Sequence, residues 1–323
     1  MAETHQILTI LKILMPLVGS IGFVGNVLVC VTIIYTKKLH NVTNLMILNL
    51  AVADALVSVV APLYPFLAVN FILNVSSPSK TNSNQCTANT QFLAESFFIH
   101  SFFLDCFSAH SVLSLTLSNF ERFIGISRPL QYTSYFTRRK ITLLLLAVWV
   151  IPVLVHLPQL LITVVQYRRD NCSINELQKP LVTGIAAMLL LLLPIAATIW
   201  MYIRILINLK QGVRNLEEQG IQGPAQELHQ AHKKVTSTLA IITTAFFILV
   251  LPGALWFSFS HWIIEGETST SIIIWELFLF LSFLNSVINP VLYGFKYDQL
   301  RKAFISMVCR CNQRRQTNQI DPL

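Results

Sequence analysis

The sequence predicts an all-α membrane protein: a seven-transmembrane helix bundle followed by a short amphipathic C-terminal surface helix. Three observations predict it. Of the 323 residues, 54% are hydrophobic and only 12% charged, about half the charge of an ordinary soluble domain at roughly 25%. That composition excludes a soluble enzyme, a disordered chain and a disulfide-stapled miniprotein. Seven apolar runs each reach the ~20 residues that cross a bilayer. The basic residues, finally, fall on alternate loops. The net charge of +8 therefore reads as membrane orientation rather than nucleic-acid binding.

The runs are Ile10 to Tyr35, Leu45 to Phe71, Phe92 to Ile124, Ile141 to Val165, Leu181 to Leu209, Val235 to Ile263 and Ile272 to Phe295. Loops between them carry helix breakers, as in Ser76-Ser77-Pro78-Ser79, Gln222-Gly223-Pro224 and Glu265-Gly266-Glu267. Strands are a poor alternative. A membrane barrel alternates polar and apolar residues over about 10-residue segments, whereas Leu143 to Leu146 and Met188 to Leu193 are unbroken apolar blocks. The first run outlasts a signal-peptide core and no small-residue cleavage site ends it, so it reads as an uncleaved anchor. The expected layout is an extracellular segment 1–9, a seven-span body 10–295 and a cytoplasmic tail 296–323.

Eighteen of the 23 Lys and Arg lie in the first, third and fifth inter-helix segments and the tail; the opposite side keeps Lys12, Lys80, Arg168, Arg169 and Lys179. Basic residues stay cytoplasmic. The N-terminus is therefore expected outside and the tail inside. Beyond the seventh span, Asp298 to Cys309 reads as a surface helix on the inner leaflet, with Leu300, Phe304, Ile305 and Val308 on one stripe and Arg301 and Lys302 on the other.

Cysteines and sequons follow this topology. Cys86 and Cys172 both fall in outside loops, where oxidation favours a disulfide between them. Cys30 and Cys106, within spans, read as packing residues. Cys309 and Cys311 end the surface helix beside basic residues, a setting for palmitoylation or for plain thiols. Asn74-Val75-Ser76 and Asn171-Cys172-Ser173 are outside glycosylation sequons, whereas Asn41-Val42-Thr43 falls inside and is expected to stay bare.

Ionisable groups inside spans need partners. Asp54 is the sharpest case, with Ser111 on the third span and Asn285, Ser286 and Asn289 on the seventh as candidate neighbours. Asn285, Asn289 and Tyr293 recur every four residues and so share a helix face. These oxygens suit water or a small hard cation; a static hydrogen-bond network that binds helices together serves equally well. Glu121-Arg122 at the inner end of the third span is either a breakable charge pair or a snorkelling arginine. Pro62, Pro152, Pro158, Pro194, Pro252 and Pro290 mark kinks.

Taken in order, the chain resembles the rhodopsin-like G-protein-coupled receptors. The motifs are Gly25-Asn26; Asn49-Leu50-Ala51-Val52-Ala53-Asp54; Glu121-Arg122-Phe123, where the family has D/E-R-Y; Trp149; Pro194 with Tyr202; Phe246 and Pro252; and Asn289-Pro290-Val291-Leu292-Tyr293. The resemblance implies a sodium and water pocket at Asp54, Ser111, Asn285, Ser286 and Asn289. It implies an activation switch through Glu121, Arg122, Tyr202, Phe246, Pro252, Pro290 and Tyr293, with the sixth helix swinging outward to admit a heterotrimeric G-protein. No enzyme activity and no cofactor beyond a modulating sodium ion are expected; the other partners are membrane lipid and an extracellular ligand, not nucleic acid, and the location implied is the plasma membrane.

Departures from the family pattern matter too. Phe97 stands where the family has the third-helix cysteine, and Cys86 lies 36 residues before Arg122. At ~1.5 Å per residue that distance places Cys86 beyond the same helix. Leu249-Val250-Leu251-Pro252 replaces C-W-x-P, and His232 stands where many members carry an acid, which implies a looser resting state with basal signalling. No lysine lies within the seventh span for retinal. Leu104 occupies the amine-receptor aspartate position; Asp105 is rotated about 100° from it and is expected to face a neighbouring helix. Ala186 and Leu190 replace catechol-binding serines. The ligand-pocket candidates are Glu95, His100, Ser101 and Asp105 with Trp256, His261 and Trp262; helix packing is an equal reading of each. A short leading segment favours a peptide or small organic ligand. The alternatives are a transporter or channel around the polar core, which lacks the inverted halves such folds carry, and a receptor without ligand.

Overall fold

The computed structural model describes residues 2–74, 88–169, 188–218, 230, 240–241, 243–256 and 269–307. Among them the chain is helical throughout its ordered elements, with no strand. Six helices are long and apolar enough to cross a membrane, and a shorter apolar helix, Thr243–Trp256, lies in the sixth run. All seven expected spans therefore carry a helix.

The first helix, Ala2–Tyr35, begins before its apolar stretch at Thr9, so residues 2–8 form its opening turns. The second, Val42–Val60, starts where the Asn41 carboxamide oxygen accepts the Asn44 amide at 2.9 Å, a side-chain N-cap. Asn41 of the inside sequon thus has a structural task. The second run then tightens into a 3-10 turn, Ala61–Leu63, at Pro62, and resumes as Tyr64–Asn74, because proline cannot donate the next helical bond.

The third helix, Ala88–Ser127, has 40 residues and a length of about 60 Å at 1.5 Å per residue. It begins two residues after Cys86. Cys86, with Cys172, lies outside the described residues. The fourth helix is Arg138–Arg169, and the fifth enters through a π-turn, Met188–Leu192, and continues as Leu193–Glu218. The seventh is Ser269–Lys296. A final helix covers 298–307, with Leu300 buried against the bundle and Ile305 exposed, as an interfacial helix requires.

Burial is inverted relative to a soluble bundle. On the fourth helix Leu143, Leu146, Val150, Leu154, Leu161 and Val165 point outward, an apolar stripe whose solvent is hydrocarbon. Asn26, Asn44, Asp54, Ser111, Ser114, Asn119, Glu121, Asn285, Ser286 and Asn289 are buried among the helices instead. Polar groups that lipid cannot satisfy meet each other inside.

Glycine sets how closely the first helix approaches. A Cβ on Gly19 would lie 2.6 Å from the Ser58 carbonyl, one on Gly22 2.7 Å from Val287, and one on Gly25 3.0 Å from Pro290. These three positions, spaced by three, form a smooth seam against the second and seventh helices, the small-residue packing used in bilayers. Replacing Gly22 by Val is expected to force that seam apart at a cost of roughly 1–3 kcal/mol, the range for overpacking. Surface expression and the melting temperature of the purified protein should both fall.

Candidate functional site

Asp54 lies on the second helix, with both carboxylate oxygens used. Ser111 Oγ of the third helix donates to Oδ1 at 3.2 Å, and Asn289 Nδ2 of the seventh donates to Oδ2 at 2.7 Å. Asp54 also anchors locally, since its carbonyl accepts from Ser58 Oγ at 2.7 Å. Asn26 on the first helix joins the hub by donating to the Ser286 carbonyl at 2.9 Å. Four helices therefore meet around one carboxylate. The structure brings together Asp54, Ser111 and Asn289, and buries Asn285 and Ser286 beside them.

The oxygen chemistry suits a hard cation. Asn289 holds one carboxylate oxygen of Asp54, and beside it the cleft bounded by Leu50, Ser111, Leu115, Phe246, Asn285 and Asn289 is tight.

Above it, in the half away from the basic end, lies a cavity of about 130 Å³. Ser111, Phe246 and Asn285 line both this cavity and the tight cleft at Asp54. The hub is thus the cavity floor. Asp105, Ser108 and His156 supply polar atoms from the third and fourth helices; Met15, Val57, Phe246, Val250, Phe278 and Phe283 supply apolar walls.

Leu104 and Asp105 both line the cavity. The hollow is wide enough to take side chains 100° apart on one helix. Glu95, His100, Ser101 and Trp256 do not line it. Glu95 is held by Arg168 through two bonds of 2.7 and 2.8 Å, which join the third and fourth helices. His100 Nε2 pairs with the Val60 carbonyl at 2.9 Å, and Ser101 Oγ donates to Phe97 O at 3.0 Å. Trp256 lies 6.1 Å from the Phe278 ring. His261, Trp262 and the residues around 171 lie outside the described residues, as do His232, Cys309 and Cys311, while Asn74 closes its helix.

At the basic end, Arg122 Nε lies 3.2 Å from Glu121 Oε2, a charge contact without hydrogen-bond alignment. Thr43 connects the two residues: its Oγ1 accepts from Arg122 Nη2 at 2.6 Å and donates to Glu121 Oε1 at 3.1 Å. Tyr132, in the loop helix Tyr132–Tyr135, donates its hydroxyl to the same Oε1 at 2.6 Å. Burial, then this bond to Glu121, pushes the Tyr132 phenol above its usual range, so it stays a donor. Arg122 is thus fixed in a four-residue cluster rather than merely snorkelling.

Phe246 and Tyr293 share a buried cluster with Leu115, Ile195 and Leu300. Asn119 Nδ2 donates to Thr243 Oγ1 at 3.3 Å, tying the third helix to the sixth. Tyr297 donates to Asn44 Oδ1 at 2.8 Å. Tyr202 is half-buried on the fifth helix, Pro252 lies within the sixth, and Pro290 abuts Gly25.

Sequence reasoning missed two features. Asn49 donates to Ser114 Oγ at 2.9 Å and accepts from Trp149 Nε1 at 2.9 Å, with the His110 ring 4.0 Å from the Trp149 ring; a buried histidine within an apolar run was the available signal. Glu276 is buried on the seventh helix with Oε2 unpartnered, on the face shared with Leu279 and Phe283 by helical spacing.

The comparisons agree with this architecture. Residues 25–293 match the family model described as 7 transmembrane receptor (rhodopsin family). The rat alpha-1A adrenergic receptor is 27% identical over an alignment covering 92% of this chain and 67% of that receptor. The human alpha-1A adrenergic receptor is 27% identical over 90% of this chain and 66% of its own length; the chain spans about two thirds of these adrenergic relatives. The mouse somatostatin receptor type 2 is 26% identical over 90% of the chain and 74% of its own length. These relatives are receptors, not enzymes. With its seven apolar helices, polar hub and matched span, the chain belongs to the rhodopsin family of seven-transmembrane receptors.

Proposed function

We propose that the chain is a plasma-membrane receptor that binds a small extracellular ligand in the 130 Å³ cavity and activates a heterotrimeric G-protein through outward movement of the sixth helix. One observation carries this reading: the cavity floor and the Asp54 hub share Ser111, Phe246 and Asn285. A ligand that moves Phe246 or the third helix must repack the cleft that holds Asn289, and Asn289 leads directly through Pro290 to Tyr293. Interiors this closely packed switch between discrete arrangements rather than deforming gradually. Ligand and G-protein that prefer the same arrangement strengthen each other's binding.

The orientation in this reading follows the basic residues, with the N-terminus outside and Arg122 at the cytoplasmic face. A Cys86–Cys172 disulfide, glycans at Asn74 and Asn171, and palmitate at Cys309 and Cys311 belong to the same proposal. A transporter or channel is less well supported, because the sequence lacks the inverted halves such folds carry.

Arg122→Ala is expected to abolish G-protein recruitment while surface expression persists; recruitment at the wild-type level would contradict the proposal. Tyr132→Phe removes one hydrogen bond to Glu121, worth roughly 1 kcal/mol, so ligand-independent recruitment should rise about fivefold at equal expression. Sodium is proposed as a modulator of the conformation in which Asn289 has left Asp54. Exchanging sodium for choline should then shift recruitment in the wild type and not in Asp54→Asn; equal responses would remove sodium from the account.

A further inference from the structure

The first and seventh helices run parallel and keep one register. Gly19, Gly22 and Gly25 face Phe283, Val287 and Pro290 in turn, at a nearly constant sequence offset. Seven residues outward from Gly19 stands Lys12, and seven outward from Phe283 stands Glu276. A seven-residue step returns to within about 20° of the same helix face, so the register that closes the glycine seam sets Lys12 level with Glu276. The intervening turns agree with this. Met15, one turn inward of Lys12, packs in one cluster with Phe280 and Phe283, one and two turns inward of Glu276.

The two side chains are level but apart. Glu276 is only 3% exposed, and its Oε2 is buried with no hydrogen-bond partner among the described residues. Lys12 Nζ lies instead 5.6 Å from the centre of the Phe66 ring, on the outer segment of the second run, and that ring is itself exposed. Gly19 shows why both neighbours are in reach. At the helical phase it shares with Lys12, the first helix faces Ser58 and Pro62 of the second run as well as Phe283 of the seventh.

A carboxyl group buried in a span without a partner is costly, whereas a lysine over an exposed ring gains little. The ammonium swings on a flexible four-carbon stem. Moving it from Phe66 to Glu276 satisfies the orphan oxygen, and drawing the charge inward from water offsets part of that gain.

We propose that Lys12 is a two-position latch: it rests over Phe66 in the arrangement described above, and in a second arrangement it donates to Glu276 Oε2 and ties the outer ends of the first and seventh helices together. Met15 and Phe283 line the cavity, so the latch lies directly outward of the wall where those two helices meet. Engaged, it holds that wall closed; over Phe66, it leaves the outer ends free to part. A body that presses on Met15 or Phe283 from within the cavity biases the latch. The assignment needs only the helix bundle and not the receptor reading.

The test uses the full chain in lipid nanodiscs. Lys12→Cys with Glu276→Cys is treated with a short bifunctional thiol reagent, and linked peptides are quantified by mass spectrometry against Ile13→Cys with Glu276→Cys. The first pair is expected to link roughly tenfold faster, because Ile13 is rotated by about 100° toward the exposed side; equal rates overturn the register. A double-mutant cycle on the unfolding midpoint, with Lys12→Met and Glu276→Gln, then reads the pair itself, in the wild type and in Phe66→Leu. Coupling is expected in both and is larger in Phe66→Leu, where no ring competes for the ammonium. Absent coupling, or coupling that Phe66→Leu leaves unchanged, overturns the two positions. Should Glu276→Gln not fold, the acetylation rate of Lys12 replaces the cycle: Phe66→Leu should lower it by sending the amine to the buried acid, and an unchanged or raised rate overturns the latch. None of these readouts involves a G-protein, so a failure here is separate from a failure of Arg122-dependent recruitment, which would strike the receptor reading instead.

Discussion

A carboxylate buried in the middle of a lipid-embedded bundle is the constraint around which the rest of the structure is arranged. Lipid offers Asp54 no hydrogen bonds, and Ser111 and Asn289 supply them from two other helices. Their bonds fix the rotation of the third and seventh helices relative to the second. The Asn26 contact to Ser286 adds the first helix. In lipid there is little hydrophobic drive to bring helices together, and polar bonds with close small-residue packing take that role. The Gly19, Gly22 and Gly25 seam is the second half of the same solution, because only without side chains there can Asn26 reach the seventh helix.

That arrangement also explains why an event in the cavity reaches the basic end. The cavity floor is not inert packing but the set of side chains that crowd Asp54. Below it, Asn289, Pro290 and Tyr293 continue one helix face into the cluster of Phe246, Leu115 and Ile195. Farther down, Thr43 and Tyr132 hold Glu121 and Arg122. The chain has His232 where an acid on the sixth helix often restrains the arginine, and its described restraint comes from the second helix and the loop after the third. Two neutral hydroxyls, rather than an opposing helix's acid, complete that restraint, and a ligand that favours another arrangement can shift it.

Much of this was legible in the sequence. Run length and hydropathy fixed the number of helices, because lipid permits few backbone solutions, and the four-residue spacing of Asn285, Asn289 and Tyr293 placed them together. The hub partners of Asp54 were legible for the same reason: a buried acid must find donors, and Ser111 and Asn289 were among the few available. The ligand side was less legible. That Leu104 and Asp105, 100° apart on one helix, both line the hollow was not legible, since the width of the space between helices is a tertiary property. Glu95 and His100 read as ligand contacts because their partners, Arg168 and the Val60 carbonyl, come from distant residues. His110 and Glu276 carried the signal of a polar residue in an apolar run, but nothing local indicated their neighbours.

The central claim, that the Asp54 to Asn289 contact holds the second and seventh helices in register, is tested most directly by a double-mutant cycle on the thermal stability of the purified receptor. Asp54→Asn removes the charge and one of the two acceptor oxygens, Asn289→Asp sets two acids side by side, and the exchanged pair restores one acid facing one amide. The account predicts that the double exchange is more stable than Asn289→Asp alone, with a coupling energy of roughly 0.5–3 kcal/mol, the range for residues in contact. Strictly additive losses would show that the two side chains do not depend on each other, and the hub would no longer explain the bundle.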